Sequence, residues 1–222
     1  MAGTFLRSLP PLFQVTDEQA MWRVKMQDDA QAFAQLVRRW EKPIQSLCAR
    51  MTGDPHRGED LAQETFAKVF ARRKDYQASG RFATFLWRVA LNLCHDELRR
   101  VNRRRESALD DAGGLDGEGG ETDFACSGPA PDLQLVEQER AEAVRRALLT
   151  LAEHYRAVVV LRHYEGLKFR EIGEVLEIPE GTVKSRMAEA LSQLNQILNE
   201  VMNERETPCK PPTKPAPGVP VI

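Results

Sequence analysis

The sequence predicts an all-α fold made of two small helical domains that a flexible acidic linker joins. Three observations predict this architecture. Apolar residues recur at helical spacing in both halves of the chain, strand-like alternation is missing, and a glycine-rich acidic segment separates the halves. We therefore divide the chain into an N-terminal extension (1–16), an N-terminal domain (17–105), a linker (106–134), a C-terminal domain (135–206) and a proline-rich, disordered tail (207–222).

Four helices are predicted in the N-terminal domain. The first begins at a capping box in residues 16–19, where two polar side chains bond each other's main-chain amides. The second has an apolar stripe over residues 33–51 and stops at Gly53, and the third and fourth span about residues 57–73 and 82–104. Because they lie on apolar stripes, all three tryptophans are expected in the core: Trp22, Trp40 and Trp87.

Apolar stripes also predict helices in the C-terminal domain, over about residues 133–151 and 155–161. Two further helices follow, over 169–176 and from Glu180 onward, and Ile178-Pro179 ends the turn between them because proline suits the first position of a helix. Such a pair is typical of a helix-turn-helix, whose second helix enters the DNA major groove. An ordinary helical hairpin with a solvated polar face has the same periodicity, so the pattern alone leaves both interpretations open.

Charge is distributed unevenly along the chain, although the net charge is only −2. Residues 17–105 carry 18 basic and 12 acidic side chains, a net charge of +6, whereas the linker carries −8 and residues 135–205 carry −2. A uniformly basic nucleic-acid coat and an acidic disordered chain are therefore both excluded as descriptions of the whole protein. The distribution is instead that of separate modules.

Residue types needed for catalysis or metal binding are not clustered in the sequence. Cysteines and histidines are scattered, and no close ligand pair or glycine-rich phosphate loop after a strand occurs. We therefore expect no enzyme activity, no metal, no cofactor and no small-molecule substrate, and a nuclease would need clustered acidic residues. No apolar run is long enough to span a bilayer, which predicts a cytoplasmic protein without membrane insertion.

Three ordered motifs resemble conserved regions of bacterial RNA polymerase sigma factors. Residues 58–66 (GEDLAQETF) and 85–100 (FLWRVALNLCHDELRR) are similar to the second region, and residues 166–186, which contain GLKFREIG and IPEGTVKSR, are similar to the fourth. Two such regions with only a flexible linker between them resemble the extracytoplasmic-function subfamily. The resemblance covers roughly residues 17–105 and 135–198. It implies a subunit that binds core RNA polymerase and directs promoter recognition, melting and transcription initiation.

The resemblance implies a polymerase contact in the Glu-Asp-Leu-x-Gln-Glu-x-Phe motif, which binds the clamp coiled coil of the polymerase in this family. Asp60, Gln63 and Glu64 would make the polar contacts. Leu61 and Phe66 would pack behind or beside them. The residues alone favour a solvated acidic face, because a helix N-terminus attracts carboxylates through its dipole.

The second region of the family also melts and reads the promoter minus-ten element, which needs a stacking surface for an extruded base and cations for the single-strand backbone. By position in the motif, Tyr76 would stack on the flipped base and Asn92 would hydrogen-bond it. The alternatives are a loop tyrosine resting on the core, a helical asparagine with a local bond, and a solvated basic helix end. The cationic residues of this surface are Lys74, Arg99, Arg100, Arg103, Arg104 and Arg105.

The fourth region of the family reads the minus-thirty-five element as a duplex. Hydroxyl groups at the start of the second helix can bond phosphates or base edges, and its cations can bond phosphate or guanine. The chain departs from the family pattern at Met187-Ala188-Glu189, where a further base is common, so its promoter preference stays open. The candidate contacts are Glu180, Thr182, Lys184, Ser185 and Arg186.

The resemblance also implies three partners: core RNA polymerase, promoter DNA, and an anti-sigma factor or other regulator that covers the binding faces. In the family the connector threads through the product channel of the polymerase, where an acidic strand mimics nucleic acid. A plain spacer is the alternative for residues 106–134. A stand-alone helix-turn-helix regulator with a ligand-sensing N-terminal domain is the competing function, but it leaves the motif at residues 58–66 and the basic helix end unexplained.

Overall fold

The chain forms eight α-helices in the part that the computed structural model describes, residues 15–77, 81–111 and 131–206. No strand occurs within these ranges, which confirms the all-α fold. The helices are α1 Asp17–Gln27, α2 Ala30–Thr52, α3 Pro55–Ala71, α4 Phe82–Asp111, α5 Pro131–Thr150, α6 Glu153–Val159, α7 Phe169–Leu176 and α8 Glu180–Glu206. A 3-10 turn at Arg73–Asp75 follows α3, and a π-helical turn at Val160–Tyr164 follows α6. Within the described ranges, no helix has the length and apolar character needed to cross a membrane.

Local sequence signals set the helix ends in the N-terminal domain. The predicted capping box is confirmed, since the main-chain N–H of Gln19 donates to Oγ1 of Thr16 and that of Thr16 donates to Oε1 of Gln19, both at 3.2 Å. The carboxylates of Asp29 and Asp54 accept from main-chain amides at the start of α2 and α3. α2 ends at Gly53, whose φ of 83° lies in the left-handed region that glycine adopts without a Cβ clash.

Helices α1 to α4 form a bundle around one core. α3 approaches α2 closely at Gly58, where a Cβ atom would lie 2.7 Å from the main-chain nitrogen of Ala49. Aromatic contacts join α2 to α4, with the rings of Trp40 and Trp87 edge to face at 5.5 Å. The largest fully buried side chains of this bundle are Met21, Leu36, Ile44, Leu47, Met51, Leu61, Phe82, Leu86 and Leu91.

The prediction that all three tryptophans are core residues is wrong for Trp22, whose side chain is 48% exposed. α1 contacts the bundle through Ala20, Met21 and Val24. Because successive residues on a helix point about 100° apart, this narrow buried face directs Trp22 toward solvent. Trp87 is buried, as predicted.

Two helices extend further into the predicted linker than the sequence pattern indicated. α4 continues to Asp111 and α5 begins at Pro131, so residues 106–111 and 131–134 are helical. The extension of α4 contains no glycine or proline that would stop it. Proline suits the first turn of α5 because a helix leaves its first N–H groups unbonded. Residues 112–130 of the linker, like the predicted tail, lie outside the described residues.

Helices α5 to α8 form a second, smaller bundle. Its core combines the apolar run of α6 and the π-helical turn with one face each of α7 and α8. On α8 the fully buried Ala190 faces the core, whereas its neighbour Leu191 is 47% exposed. The buried residues of this domain include Val158, Val160, Leu161, Ile172, Val175, Val183, Met187 and Ala190.

The two bundles pack against each other. α7 lies on α4, and the end of α5, α6 and the π-helical turn lie on α2. At the second contact, Cδ1 of Leu149 lies 2.8 Å from the position that a Cβ atom on Gly53 would occupy. The glycine that ends α2 is therefore also part of the surface on which the C-terminal domain packs.

Candidate polymerase and nucleic-acid interfaces

The exposed side of α3 carries the polar residues predicted to contact polymerase. Asp60, Gln63 and Glu64 lie on this side, and we call them the acidic α3 face. Leu61 and Phe66 are buried, at 1% and 7% exposure, so they support the helix from behind. The spacing of three and four residues explains why the polar set shares one face.

A cluster of ion pairs connects the acidic α3 face to α4. Arg57 donates to Asp60 at 3.2 Å and to Glu97 at 2.8 Å, and Arg100 also donates to Glu97, at 2.8 Å. The hydrogen bond from Arg57 is the main cause that lowers the pKa of Glu97, which is only 9% exposed. Sequence reasoning missed Arg57 and Glu97, because a pair 40 residues apart leaves no trace in local spacing.

The outer side of α4 is a polar surface rich in cations. Arg88, Asn92, Arg99 and Arg103 follow one another at helical spacing, and we call them the basic α4 face. A groove near its end is lined by Asp96, Arg99, Asn102 and Arg103. Of the other predicted cations, Lys74 and Arg104 are exposed, Arg100 is tied to Glu97, and the side chain of Arg105 lies outside the described residues.

Tyr76 does not lie on the exposed minus-ten surface, where the sequence motif predicted it. Its side chain is 2% exposed and packs against Phe82 and Phe85, with ring centroids 6.2 and 5.5 Å away. Burial is the main cause that raises the pKa of Tyr76 to about 12, with further effects of Glu18 and Asp17. The role of this ring as a stacking surface for an extruded base is therefore corrected: Tyr76 is a core residue, because the turn after α3 folds back onto the bundle.

The helix pair α7 and α8 has the turn that a helix-turn-helix needs. Glu177 adopts a left-handed φ of 57°, and its N–H and that of Ile178 both bond the carbonyl of Gly173. A Cβ atom on Gly173 would lie 2.8 Å from the carbonyl oxygen of Ile178, so the close approach of the two helices depends on this glycine. The short turn and the close packing of α7 on α8 fit the helix-turn-helix interpretation.

The start of α8 presents the predicted duplex-reading residues at the surface. Glu180 and Lys184 are exposed and pair with each other at 2.8 Å. Ser185 donates to the carbonyl of Gly181 at 3.0 Å. Thr182 and Arg186 are partly exposed. Outside the pair Glu180–Lys184, these side chains make no ion pair within the described residues and are available to a ligand.

Asn92 and Arg186, predicted to read different promoter elements, line the same cleft between the domains, which has a volume of about 220 Å³. Arg88 closes one side of it by donating to the carbonyls of Glu174 at 2.6 Å and Val175 at 3.4 Å. Sequence reasoning missed Arg88, although its position four residues before Asn92 placed it on the same helix face. The candidate DNA-binding surfaces of the two domains thus face each other.

Sequence reasoning also missed Arg156, although a single cation next to the apolar run at residues 157–161 could have indicated it. Its guanidinium is buried and donates to the carbonyls of Leu148 and Leu151 at 3.0 Å, Leu149 at 2.6 Å, and Met51. These carbonyls lie at the ends of α5 and α2, where a helix leaves its last carbonyls without helical partners; that of Leu148 also accepts from the N–H of Leu151 at 3.3 Å. Burial lowers the pKa of Arg156.

The described residues contain no group of three or more His, Cys, Asp and Glu side chains that could hold a metal ion. Cys48 and Cys94 are free thiols in the core. A hydrogen bond from the Cys48 sulfur, together with burial, raises the pKa of Cys94, so this thiol is a poor nucleophile.

Sequence comparison identifies relatives of both domains. A family profile described as Sigma-70 region 2 matches residues 36–105, and one described as Sigma-70, region 4 matches residues 141–194. The chain is 33% identical to the ECF RNA polymerase sigma factor SigW of Bacillus subtilis, over 77% of this chain and 90% of SigW. It is 31% identical to the RNA polymerase sigma-H factor of Pseudomonas aeruginosa, over 84% of this chain and 96% of that protein.

Solved structures share the fold. CnrH, in complex with the cytosolic domain of CnrY, matches with a TM-score of 0.60 and 20% identity, over 83% of this chain and 97% of CnrH. The sigma factor RpoE of Bartonella quintana, in complex with the anti-sigma factor NepR, matches with a TM-score of 0.57 and 21% identity, over 75% of this chain and 96% of RpoE. With the two matched regions and the curated relatives, the chain belongs to the extracytoplasmic-function family of RNA polymerase sigma factors and is not a stand-alone helix-turn-helix regulator.

Proposed function

We propose that three surfaces of this sigma factor divide the work of initiation. The acidic α3 face binds core polymerase, the basic α4 face binds the melted minus-ten element, and the start of α8 binds the minus-thirty-five duplex. The observation that carries this proposal is the separation of charge within one domain: carboxylates are exposed on α3, while arginines are exposed on α4. A single domain can then hold a protein partner and a nucleic acid at once.

The polymerase contact is tested by removing the acidic α3 face. The variant Asp60→Ala/Glu64→Ala should weaken binding of the full chain to core polymerase by about tenfold or more, since its side chains are exposed and Leu61 stays in place. Glu41→Ala is the matched control, an exposed carboxylate on α2. Fluorescence anisotropy with labelled protein measures the affinity. Equal affinity of the double variant and the control would remove this surface from the proposal.

The minus-ten contact is tested on the basic α4 face. Asn92→Ala should reduce run-off transcription and leave core binding unchanged, because a lost base contact acts only after holoenzyme forms. Arg99→Ala/Arg103→Ala should reduce open-complex formation on all promoters and lower its salt dependence, because these side chains would contact phosphates. Arg38→Ala, an exposed cation on α2, is the control. An unchanged salt slope in the double variant contradicts the phosphate contact.

The minus-thirty-five contact is assigned to the first turns of α8. Lys184→Ala and Arg186→Ala should each reduce transcription most on promoters whose minus-thirty-five element matches the preferred sequence, and least on promoters that lack it. Arg146→Ala, an exposed cation on α5, is the matched control. Run-off transcription with core polymerase and a promoter library gives both the affinity and the sequence preference. Equal losses on promoters with and without the element would assign these residues to another role.

We further propose that the protein acts in the cytoplasm without catalytic chemistry, and that an anti-sigma factor or other regulator is its third partner. The similarity to RNA polymerase sigma factors supports the first part of this proposal. A solved structure of the same fold, a sigma factor in complex with an anti-sigma factor, supports the regulator. We keep the domains at residues 17–105 and 135–206, with residues 106–134 as the connector into which α4 and α5 extend. Pull-down of the full chain from native lysate, followed by inhibition of run-off transcription by the captured protein, tests the regulator.

A further inference from the structure

The outer side of α1 carries two large apolar side chains that the bundle leaves uncovered. Trp22 is 48% exposed, and Met26, one helical turn further along, is 61% exposed. We propose that Trp22 is the surface on which a base of the melted minus-ten strand stacks, the role that the buried Tyr76 cannot take. The proposal rests on the proposed binding of that strand by the basic α4 face, and it adds α1 to the same site.

Trp22 is the aromatic side chain best placed to receive a base in the described part of the chain. It and Tyr164, which is 44% exposed, are the most exposed aromatic side chains there. The guanidinium carbon of Arg50 lies 4.1 Å from the centroid of the Tyr164 ring and covers one face of it. An exposed indole suits base stacking, because every base offers a π-face to it.

α1 holds this ring beside the segment that joins α3 to α4. Nζ of Lys25 donates to the carbonyl of Tyr76 at 2.6 Å. Oε1 of Glu18 accepts from the main-chain N–H of Phe82 at 3.3 Å. Trp22 is four residues after Glu18 and three before Lys25, so the three side chains share one side of α1. The exposed ring therefore lies between the two residues that attach α1 to the end of one helix and the start of the next.

The basic α4 face leads to the same place. Arg81 is exposed, and it lies seven residues, or two helical turns, before Arg88, so it extends this face to the start of α4. Between Phe82 and Asn92 the helix rises by about 15 Å, the length of about four stacked nucleotides. A strand bound at Asn92 can thus reach Trp22 within a few nucleotides.

The charges around Trp22 favour a nucleic acid as its partner. The carboxylates of α1 are already engaged: Asp17 pairs with Arg39, Asp28 caps the helix and pairs with Arg73, and Glu18 accepts from Phe82. The turn after α3 has one exposed carboxylate, Asp75. Exposed cations on α1 and on this turn outnumber it, and an aromatic ring among cations is how proteins bind single strands. These cations are Arg23, Arg72 and Lys74.

Binding to a premelted promoter is the direct test, with holoenzyme formed from core polymerase and the full chain. The probe is a promoter fragment recovered from the run-off library and mismatched across its minus-ten element, so that melting does not contribute. Trp22→Ala should weaken binding of this fragment about tenfold, because one stacked base is lost, and should leave core binding unchanged. Trp22→Phe should stay near the parent, whereas Trp22→Leu, which is apolar but has no ring, should resemble Trp22→Ala. Leu191→Ala, which truncates an apolar side chain of similar exposure on α8, is the control.

Base fluorescence gives a signature that a merely structural role of Trp22 would not produce. 2-Aminopurine is placed in turn at each unpaired position of the non-template strand, where stacking on an indole quenches it. Holoenzyme with the parent chain should quench one position strongly, and Trp22→Ala should restore the fluorescence of that position alone. An equal change at every position, or at none, overturns the stacking contact.

The binding data decide against the proposal in three ways. Equal affinity of Trp22→Ala and the parent for the premelted fragment overturns it, as does equal behaviour of Trp22→Phe and Trp22→Leu. Weaker binding of Trp22→Ala to core polymerase assigns the exposed ring to the protein partner instead. Arg99→Ala/Arg103→Ala separates this proposal from the role of the basic α4 face. If the double variant weakens fragment binding and Trp22→Ala does not, the stacking proposal alone fails, and if neither weakens it, both fail.

Discussion

Among the described residues each domain buries one charged side chain, and the two domains compensate these charges in opposite ways. The N-terminal domain buries the carboxylate of Glu97, 9% exposed, between two arginines of its own. The C-terminal domain buries the guanidinium of Arg156, 7% exposed, against main-chain carbonyls, one of which belongs to the other domain. The first cluster is neutralised within its domain, whereas the second needs the end of α2 to complete it.

This difference shows how the C-terminal domain depends on its neighbour. Its buried cation makes no ion pair with a carboxylate in the described part of the chain, and one of its hydrogen-bond acceptors belongs to α2 of the other domain. A buried charge without a counter-charge is tolerated only when hydrogen bonds replace its hydration. We therefore expect substitutions in the C-terminal domain to have larger consequences for docking than equivalent substitutions in the N-terminal domain.

Among the charge and glycine substitutions, the largest expected effect is that of Arg156→Ala, which removes the buried cation of the C-terminal domain. The substitution removes the guanidinium donor from the carbonyls of Leu149, Leu151 and Met51, and should lower the free energy of unfolding by about 2–4 kcal/mol. Urea denaturation followed by circular dichroism measures it. Arg146→Ala, whose side chain is exposed and makes one pair within α5, should change stability by less than about 0.5 kcal/mol. Similar losses in both variants would contradict the role of Arg156.

Gly173→Ala should have the next largest effect, confined to the C-terminal domain. The added Cβ would meet the Ile178 carbonyl at 2.8 Å, so the turn must shift, at a cost of about 1–3 kcal/mol. Gly181→Ala on α8 meets no atom within 4 Å and should be neutral or stabilising by up to about 1 kcal/mol. Thermal denaturation of the two variants compares them, and equal melting temperatures would show that the turn tolerates a side chain.

Glu97→Gln tests whether the buried carboxylate of the N-terminal domain stabilises the fold in a pH-dependent way. The pKa of Glu97 is lowered in the folded protein, so its ion pairs stabilise the fold above its unfolded pKa of about 4.3 and that contribution is lost as pH falls through the folded pKa. The variant should be less stable than the parent by about 1–2 kcal/mol at pH 7, and the gap should shrink in acid. Urea midpoints between pH 7 and pH 3 measure the gap, and a gap that grows in acid has the wrong sign.

The smallest expected effect is that of Trp22→Ala in the N-terminal domain. Its side chain is 48% exposed, so the substitution should cost less than about 1 kcal/mol, while Trp87→Ala, in the core, should cost about 3–5 kcal/mol. Urea denaturation of both variants makes the comparison. Equal losses would place Trp22 in the core, as the helical pattern alone suggested.

Much of the fold was predictable because its signals are local. The capping box at Thr16, the stop at Gly53 and the turn at Ile178-Pro179 act within a few residues, and the structure has each of them. The apolar stripes also predicted helices correctly on both sides of the linker. The helix ends at Asp111 and Pro131 were not predicted, since a helix continues through polar residues that carry no periodicity.

The candidate binding surfaces were predicted less completely than the helices, because the burial of a side chain depends on residues that are distant in the sequence. A motif places Asn92 or Asp60 on one face of a helix, but it does not say what covers that face. Tyr76 was expected at the surface and is buried, because the burial of a loop side chain depends on where the following helix packs. Arg57 was missed because its partner Glu97 is distant in sequence.

The sequence by itself determined the helices, the family motifs and the alternation of basic, acidic and balanced segments, because each depends on neighbours along the chain. Only the tertiary structure decided which charges meet. Arg88 and Glu177 are 89 positions apart, and nothing in their local patterns pairs them. The packing of α7 on α4 brings these groups together, since apolar burial fixes how the two domains sit and the charges must then adjust to that position.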